Sequence, residues 1–71
     1  MEAINYGKLR GRMAEESITQ KELSQKIGIS ESQLSGKLSS NYSFKQSEIV
    51  AICNALGIDY AEIPTYFFTL K

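Results

Sequence analysis

The sequence predicts an all-α fold of five short helices, because one pattern of helix-start residues recurs five times. In each set a polar residue stands between two apolar residues at a fixed spacing. Short polar side chains accept the free N–H groups of a starting helix, and the flanking apolar pair forms a hydrophobic staple. Lys45 departs from the pattern, because an ammonium group cannot accept a hydrogen bond. The polar residues of the five sets are Asn5, Thr19, Ser30, Lys45 and Asp59.

Capping boxes strengthen four of these five helix starts. In each of the four sets Glu or Gln follows the polar residue by three positions, where its side chain can reach back to the first backbone N–H. These residues are Glu22, Gln33, Glu48 and Glu62. Thr19 and Ser30 are only eleven residues apart, with Gly28 between them. So short a helix followed at once by another predicts a tight helix-turn-helix.

Apolar periodicity gives the extent of each helix. The predicted helices cover about residues 5–16, 20–27, 31–39 and 46–56, followed by a short fifth helix that stops at Pro64. Gly28 and Gly57 end the second and fourth helices, because glycine adopts left-handed backbone geometry without strain. Ser24 is expected where the second and third helices cross closely, since only a small side chain fits there.

Length and composition predict one domain over residues 1–71, with the helix-turn-helix at about 19–39 and an aromatic tail at 65–71. A chain of this size buries only about three-fifths of its unfolded surface, so the core is thin. The single Cys53 excludes an internal disulfide and is expected in the core. The sequence lacks an apolar run of membrane-spanning length and the apolar stretch of a signal peptide. We therefore expect a cytoplasmic protein.

The charge balance is neutral, with a pI near 6.2. Neutrality counts against nucleic-acid binding as a bulk property. The distribution is less even. Residues 1–45 carry seven Lys and Arg against five Asp and Glu, whereas residues 46–71 carry one against three. A mild basic excess therefore lies with the first three helices, although ordinary solvated surface explains it equally well.

The third helix has a slim polar face. Leu34 and Leu38 point to the core, and the opposite face carries small or polar residues instead of long charged ones. A helix that enters the DNA major groove needs such a face, with side chains that hydrogen-bond to base edges. Gln33 has two roles open to it, since it can close the capping box on Ser30 or read a base. The residues of this face are Ser32, Gln33, Ser35, Gly36 and Ser39.

Residues around this face are placed to hold a DNA backbone. Gln20 opens the second helix, where its side chain and the free amides of the first turn can meet a phosphate. A second group stands at or beyond the end of the third helix, and Lys21 adds a positive charge near the first. The predicted phosphate contacts are Gln20, Lys21, Lys37, Ser39, Asn41 and Lys45.

The stretch from Thr19 to Ser30 resembles the "TQxELAxxxGIS" signature of phage repressor and Cro-like proteins, the XRE family of helix-turn-helix regulators. The resemblance covers about residues 4–63. More narrowly, residues 34–38 with Phe44, residues 48–49 and residues 66–68 resemble small prophage-encoded regulators of Gram-positive bacteria. The family usually has Ala at the position of Ser24. It has an apolar residue at Lys37 and a polar one at Leu38, the reverse of this chain.

The resemblance implies a lambda-repressor-like DNA-binding domain. It implies that Gln20 contacts phosphate and that Glu31, Ser32, Gln33 and Gly36 face base edges. The sequence therefore predicts a transcription regulator of prophage type that binds duplex DNA, with a palindromic operator. The alternative is a protein-interaction module on the same fold, antitoxin-like or adaptor. An enzyme is not expected, because the chain lacks His, a Cys pair and a phosphate-binding glycine loop. No cofactor or metal is expected.

The aromatic tail leaves two interpretations open. In an alternating strand Tyr66 and Phe68 share one face, and Phe67 lies on the other. The tail then either packs wholly on its own core or pairs with the tail of a second subunit. A homodimer with two-fold symmetry suits a palindromic operator. The candidate interface is Tyr66, Phe67, Phe68 and Leu70.

Overall fold

Five α-helices follow one another in the computed structural model, which describes residues 4–70. They are α1 (Gly7–Glu15), α2 (Gln20–Ile27), α3 (Glu31–Leu38), α4 (Gln46–Leu56) and α5 (Ile63–Phe67), with a 3-10 helix at Tyr60–Glu62 before α5. An isolated antiparallel β-bridge joins Ile4 to Leu70. None of these helices is both long and apolar enough to cross a membrane. The all-α, five-helix prediction is confirmed.

The two capping boxes of the α2–α3 unit (residues 19–39) are confirmed. The Thr19 hydroxyl accepts the Glu22 N–H at 3.1 Å, and the Glu22 carboxylate accepts the Thr19 N–H at 3.1 Å. Ser30 and Gln33 make the same pair of bonds, each at 3.1 Å. The hydrogen bonds from Thr19, first from its backbone, hold the pKa of Glu22 below its usual value. Local contacts three residues apart therefore begin both helices.

The other helix starts use fewer bonds. Asn5 accepts the Gly7 N–H through its side chain at 2.8 Å, and α1 begins at Gly7, two residues later than predicted. Glu48 accepts the Lys45 backbone N–H at 2.8 Å, but no Lys45 side-chain bond returns, so α4 begins with half a box. Asp59 caps the 3-10 helix by accepting the Ala61 N–H.

The helix ends show where the chain reverses. Gly28 (φ 80°) ends α2 and Gly57 (φ 67°) ends α4, both in the predicted left-handed geometry. Ser40 (φ 64°) takes this role after α3, although left-handed geometry strains a residue with a β-carbon. The Asn41 N–H then donates to the Gly36 carbonyl at 2.9 Å, which turns the following loop back along α3.

The core lies between α1, α2, α3 and α4. The side chains of Leu9, Leu23, Leu34, Ile52 and Leu56 are fully buried there. Cys53 is buried among them, as predicted, and burial raises the pKa of its thiol. This core fixes α2 and α3 against α4, so that the opposite side of α3 faces outward.

Pro64 does not stop the last helix, contrary to the prediction. It occupies the first turn of α5, and the helix continues to Phe67. Proline is tolerated in a first turn because the N–H that it lacks has no helical partner there. Residues 65–67 are therefore helical, and the strand predicted for the tail is reduced to the bridge at Leu70. Lys71 lies outside the described residues.

The helical tail changes which aromatic side chain is buried. Phe67 is 1% exposed and packs edge-on against Phe44, with ring centroids 5.6 Å apart, and against Tyr6 at 6.5 Å. Phe68 is 56% exposed. The expectation that Phe67 lies on the second face of a strand is wrong, because a helical turn rotates it toward the core. The alternative of a tail packed on its own core is correct for this residue.

Replacing Ser24 by leucine is expected to destabilise the protein by about 1–3 kcal/mol through overpacking. Ser24 is buried on α2, which packs against both α3 and α4, and its hydroxyl donates to the Lys21 carbonyl at 2.7 Å. Thermal unfolding measures the loss. Ser24→Ala is the matched control, because it adds no atoms and is expected to melt near the wild type. A leucine variant as stable as wild type would show that the crossing has room to spare.

Candidate functional site

The outward side of α3 forms a polar surface, here called the α3 surface. Its first half carries Glu31, Ser32, Gln33 and Ser35, all of which are exposed. Within residues 4–70 these side chains make the bonds of the capping box and a Ser30–Ser32 hydroxyl contact at 3.3 Å, and no other hydrogen bond. The sequence therefore located this half of the surface correctly, and these groups are accessible to a ligand.

Gln33 closes the capping box at the start of α3. Its side-chain oxygen accepts the Ser30 N–H at 3.1 Å, which confirms the first of its two predicted roles. The bond uses one amide atom of an exposed side chain. The amide nitrogen has two N–H groups to donate. Contact with a base stays a prediction, and the cap does not prevent it.

The residues predicted to hold a backbone lie at both ends of the α2–α3 unit. Gln20 is half-buried in the first turn of α2, and Lys21 beside it is exposed. Ser39, Asn41 and Lys45 are exposed beyond the end of α3. Their side chains are therefore accessible, as contacts to phosphate require.

Lys37 has a different environment from the predicted one. Its ammonium group is buried and donates to the Glu48 carboxylate at 2.5 Å, while it lies 6.0 Å from the centre of the Phe44 ring. Burial alone would raise the pKa of Glu48. The hydrogen bonds from Lys37 and from the Lys45 N–H, together with both positive charges, outweigh burial and hold this pKa below its usual value. Lys37 therefore joins α3 to α4 and is not free for the predicted phosphate contact.

The Lys37–Glu48 pair predicts a pH dependence of stability. Because the pKa of Glu48 is lower in the folded state, its stabilisation is complete above the ordinary value of about 4.3 and is lost as the pH falls through the folded-state pKa. Urea unfolding between pH 7 and pH 3 measures this loss. Glu48→Gln is the control and is expected to show a flatter decline. Parallel curves for both proteins would contradict the assignment.

The sequence suggested open space at Gly36 on the slim face of α3. The structure shows that this space is filled. A β-carbon at this position would lie 2.7 Å from Cδ2 of Tyr42, so the tyrosine ring already occupies the gap. Tyr42 was not predicted as a site residue. A mid-helix glycine followed six residues later by an aromatic residue was the available signal, and it is a weak one. The second half of the α3 surface is therefore formed by the backbone of Gly36 together with the ring of Tyr42.

Some basic side chains of the first three helices donate hydrogen bonds to backbone carbonyls within the protein. The Arg10 guanidinium donates to the Leu38 carbonyl at the end of α3. Arg12 donates to the Leu56 and Gly57 carbonyls at the end of α4. Cations at these positions stabilise the unpaired carbonyls of a helix end. In residues 4–70 the lysines whose side-chain ammonium groups have no hydrogen-bond or ion-pair partner are Lys8, Lys21, Lys26 and Lys45.

Sequence comparison identifies the family of this chain. A family model described as "Protein of unknown function (DUF739)" matches residues 2–70, nearly the whole chain. No curated protein sequence matches significantly.

Structure comparison is more informative. The chain is similar to the solution structure of the modulator of repression (MOR) of the temperate bacteriophage TP901-1 from Lactococcus lactis. The two are 32% identical and superpose with a TM-score of 0.77, over 93% of this chain and 89% of that one. The likeness extends over nearly the whole chain, and it associates this fold with a phage regulator.

Proposed function

This chain belongs to the DUF739 family, and we propose that it regulates repression in a temperate phage by binding duplex operator DNA through the α3 surface. The phage modulator of repression supports the regulatory part of the proposal. The α2–α3 unit supports the DNA part, because its sequence resembles the helix-turn-helix of XRE regulators.

One observation carries this proposal. Two complete capping boxes and a left-handed Gly28 fix α3, and the first half of its exposed face consists of short polar side chains. Helix-turn-helix proteins read base edges with the N-terminal residues of the second helix. Ser32, Gln33 and Ser35 are the residues in that position here. Gln20, Lys21 and Lys45 are the proposed phosphate contacts, and Lys37 is removed from that set by its ion pair with Glu48.

A two-fold dimer is the proposed form on a palindromic operator. Phe67 no longer belongs to the interface, because it is in the core. Phe68 and Leu70 are each 56% exposed next to it, and the partly exposed Tyr66 lies beside them. These three side chains are the remaining surface for contact between subunits.

A protein partner is the second candidate ligand of the α3 surface, which makes the chain an adaptor of repression. Three observations favour it. The chain has no net charge. Lys37, Arg10 and Arg12 bind within the protein. The large ring of Tyr42 lies exposed on α3, and aromatic side chains are enriched at protein interfaces. The name of the related phage protein, a modulator and not a repressor, also suits this candidate.

Selection of bound sequences from a random duplex pool tests the proposal. We expect a preferred sequence whose affinity falls with salt, with a log–log slope of about −4 to −8 for a dimer. Ser35→Glu on α3 is expected to abolish binding by placing a second acid at the groove. Ser47→Glu on the exposed face of α4 is the matched control. If no sequence preference appears at any salt concentration, DNA is the wrong ligand and the protein partner becomes the leading candidate.

Replacing Gln33 by alanine is expected to relax preference at one base pair per half-site, at a cost of about 1–3 kcal/mol against the best sequence. Gln33→Glu tests the capping role in thermal unfolding, whereas its loss of binding combines the missing donor with the added negative charge. A carboxylate still accepts the Ser30 N–H and keeps the cap, but it cannot donate to a base. Both variants are compared in binding and in thermal unfolding. An equal loss of affinity for all sequences in the alanine variant would mean that Gln33 only caps the helix.

A further inference from the structure

One edge of the ring of Tyr42 lies against α3 at Gly36. A β-carbon at Gly36 would be 2.7 Å from Cδ2 and 2.8 Å from Cε2 of this ring, closer than β-carbons approach other atoms in proteins. Tyr42 is nevertheless 64% exposed. The Cδ2–Cε2 edge of the ring therefore contacts the helix, and much of the rest of the side chain faces solvent.

The end of α3 holds the ring in this position. Ser40 adopts left-handed geometry, and its hydroxyl donates to the Ile4 carbonyl at 2.6 Å. The next residue, Asn41, donates its N–H to the carbonyl of Gly36 itself. The loop is thereby attached to the same residue on which the ring rests. The backbone that carries Tyr42 is therefore fixed relative to α3.

The ring stands next to the polar half of the α3 surface. Ser32, Gln33, Lys37, Tyr42 and Ser43 line one open cleft. A molecule that lies along α3 and contacts Ser32 and Gln33 therefore also meets Tyr42. The ring thickens the helix at Gly36, so the N-terminal half of α3 is the part that can enter a groove most deeply.

We infer that Tyr42 is a specificity-determining contact of the α3 surface, where its ring packs against the C5 methyl group of a thymine beside the bases that α3 reads. This inference rests on the proposed function. The polar residues of α3 can read hydrogen-bonding edges, but a methyl group needs an apolar partner. Tyr42 is the large apolar group in the cleft. A glycine at residue 36 is required because any other side chain would displace the ring.

The test uses the best duplex from the selection experiment, with each thymine in turn replaced by uracil, which lacks only the methyl group. We expect one position per half-site at which this replacement weakens wild-type binding about fourfold, the effect of one buried methyl. Tyr42→Ala is expected to bind the thymine duplex several-fold more weakly and to lose the difference between thymine and uracil. Tyr42→Phe is expected to keep it, since the ring remains.

Two further variants complete the design. Gly36→Ala displaces the ring without removing it and is expected to lose the thymine preference in the same way. Tyr60→Ala is the matched control, because Tyr60 is exposed to a similar extent on the 3-10 helix. If wild type binds duplex DNA but Tyr42→Ala keeps full affinity and the uracil effect, the inference is wrong and the proposed function stands. If wild type binds no duplex, both are wrong.

Discussion

Replacing Glu48 by alanine is expected to destabilise the protein by about 3–5 kcal/mol, because the change leaves the buried ammonium of Lys37 without a counter-charge. Both side chains of this pair are about nine-tenths buried. The alanine also removes the acceptor of the Lys45 N–H at the start of α4. A domain of this length has a total stability of about 4–10 kcal/mol, so the variant is expected to be largely unfolded near its working temperature. Urea unfolding at pH 7 measures the change.

The control for this experiment replaces both members of the pair. In Lys37→Met with Glu48→Leu, apolar side chains of similar size fill the same space and no charge is left buried. Such replacements of buried ion pairs are often neutral or stabilising. We expect the double variant to regain most of the lost stability. If it is as unstable as Glu48→Ala, the loss comes from packing and the capping of α4, and the ion pair contributes little.

Replacing Phe67 by alanine is expected to cost about 3–5 kcal/mol, the usual penalty for removing a fully buried aromatic side chain. Its ring packs edge-on against both Tyr6 and Phe44, so the cavity would open where α1, α5 and the loop before α4 meet. The free energy of unfolding and the molar mass by sedimentation are measured together. We expect the variant to unfold instead of changing its state of association.

The adjacent residue is the matched control. Phe68→Ala removes the same side chain from a position that is 56% exposed, and surface changes of this kind are usually within about 0.5 kcal/mol. If subunits meet through the tail, this variant lowers the molar mass at high concentration and leaves the unfolding free energy almost unchanged. Equal destabilisation by both changes would contradict the assignment of Phe67 to the core and Phe68 to the surface.

The Glu48→Ala and Phe67→Ala changes are both expected to affect the α3 surface. Phe44 packs on Phe67, and the Lys37 ammonium lies over the same Phe44 ring. Lys37 also joins the last turn of α3 to α4 through Glu48. The loop that carries Tyr42 runs between two anchors, the Lys37–Glu48 ion pair and the Phe44–Phe67 contact. Loss of either anchor is therefore expected to weaken ligand binding indirectly, which is why each binding experiment is paired with an unfolding curve.

Several features of this protein are determined by sequence alone. The starts of α2 and α3 depend on contacts between residues three apart, Thr19 with Glu22 and Ser30 with Gln33. Gly28 needs only its own backbone freedom to end α2. Such contacts are complete within one turn of chain. The order of the helices, the exposed first half of α3 and the burial of Cys53 follow from them and from apolar periodicity.

The end of α3 was harder to predict, because its left-handed residue is Ser40 and not glycine. A serine at that position is held by a hydrogen bond from its hydroxyl to Ile4, a residue distant in sequence. The prediction that Pro64 stops the last helix was wrong for a related reason. A proline can stop a helix or begin one, and the packing of α5 on α1 decides between the two.

Only the tertiary structure decided what Lys37, Tyr42 and Phe67 do. By sequence, Lys37 is a surface cation, Tyr42 is a loop residue and Phe67 lies on the outer face of a strand. In the folded protein Lys37 meets Glu48, Tyr42 covers Gly36 and Phe67 enters the core. Each outcome depends on how separate elements pack together. The apolar periodicity of one helix does not say which residue of another helix or loop will pack against it.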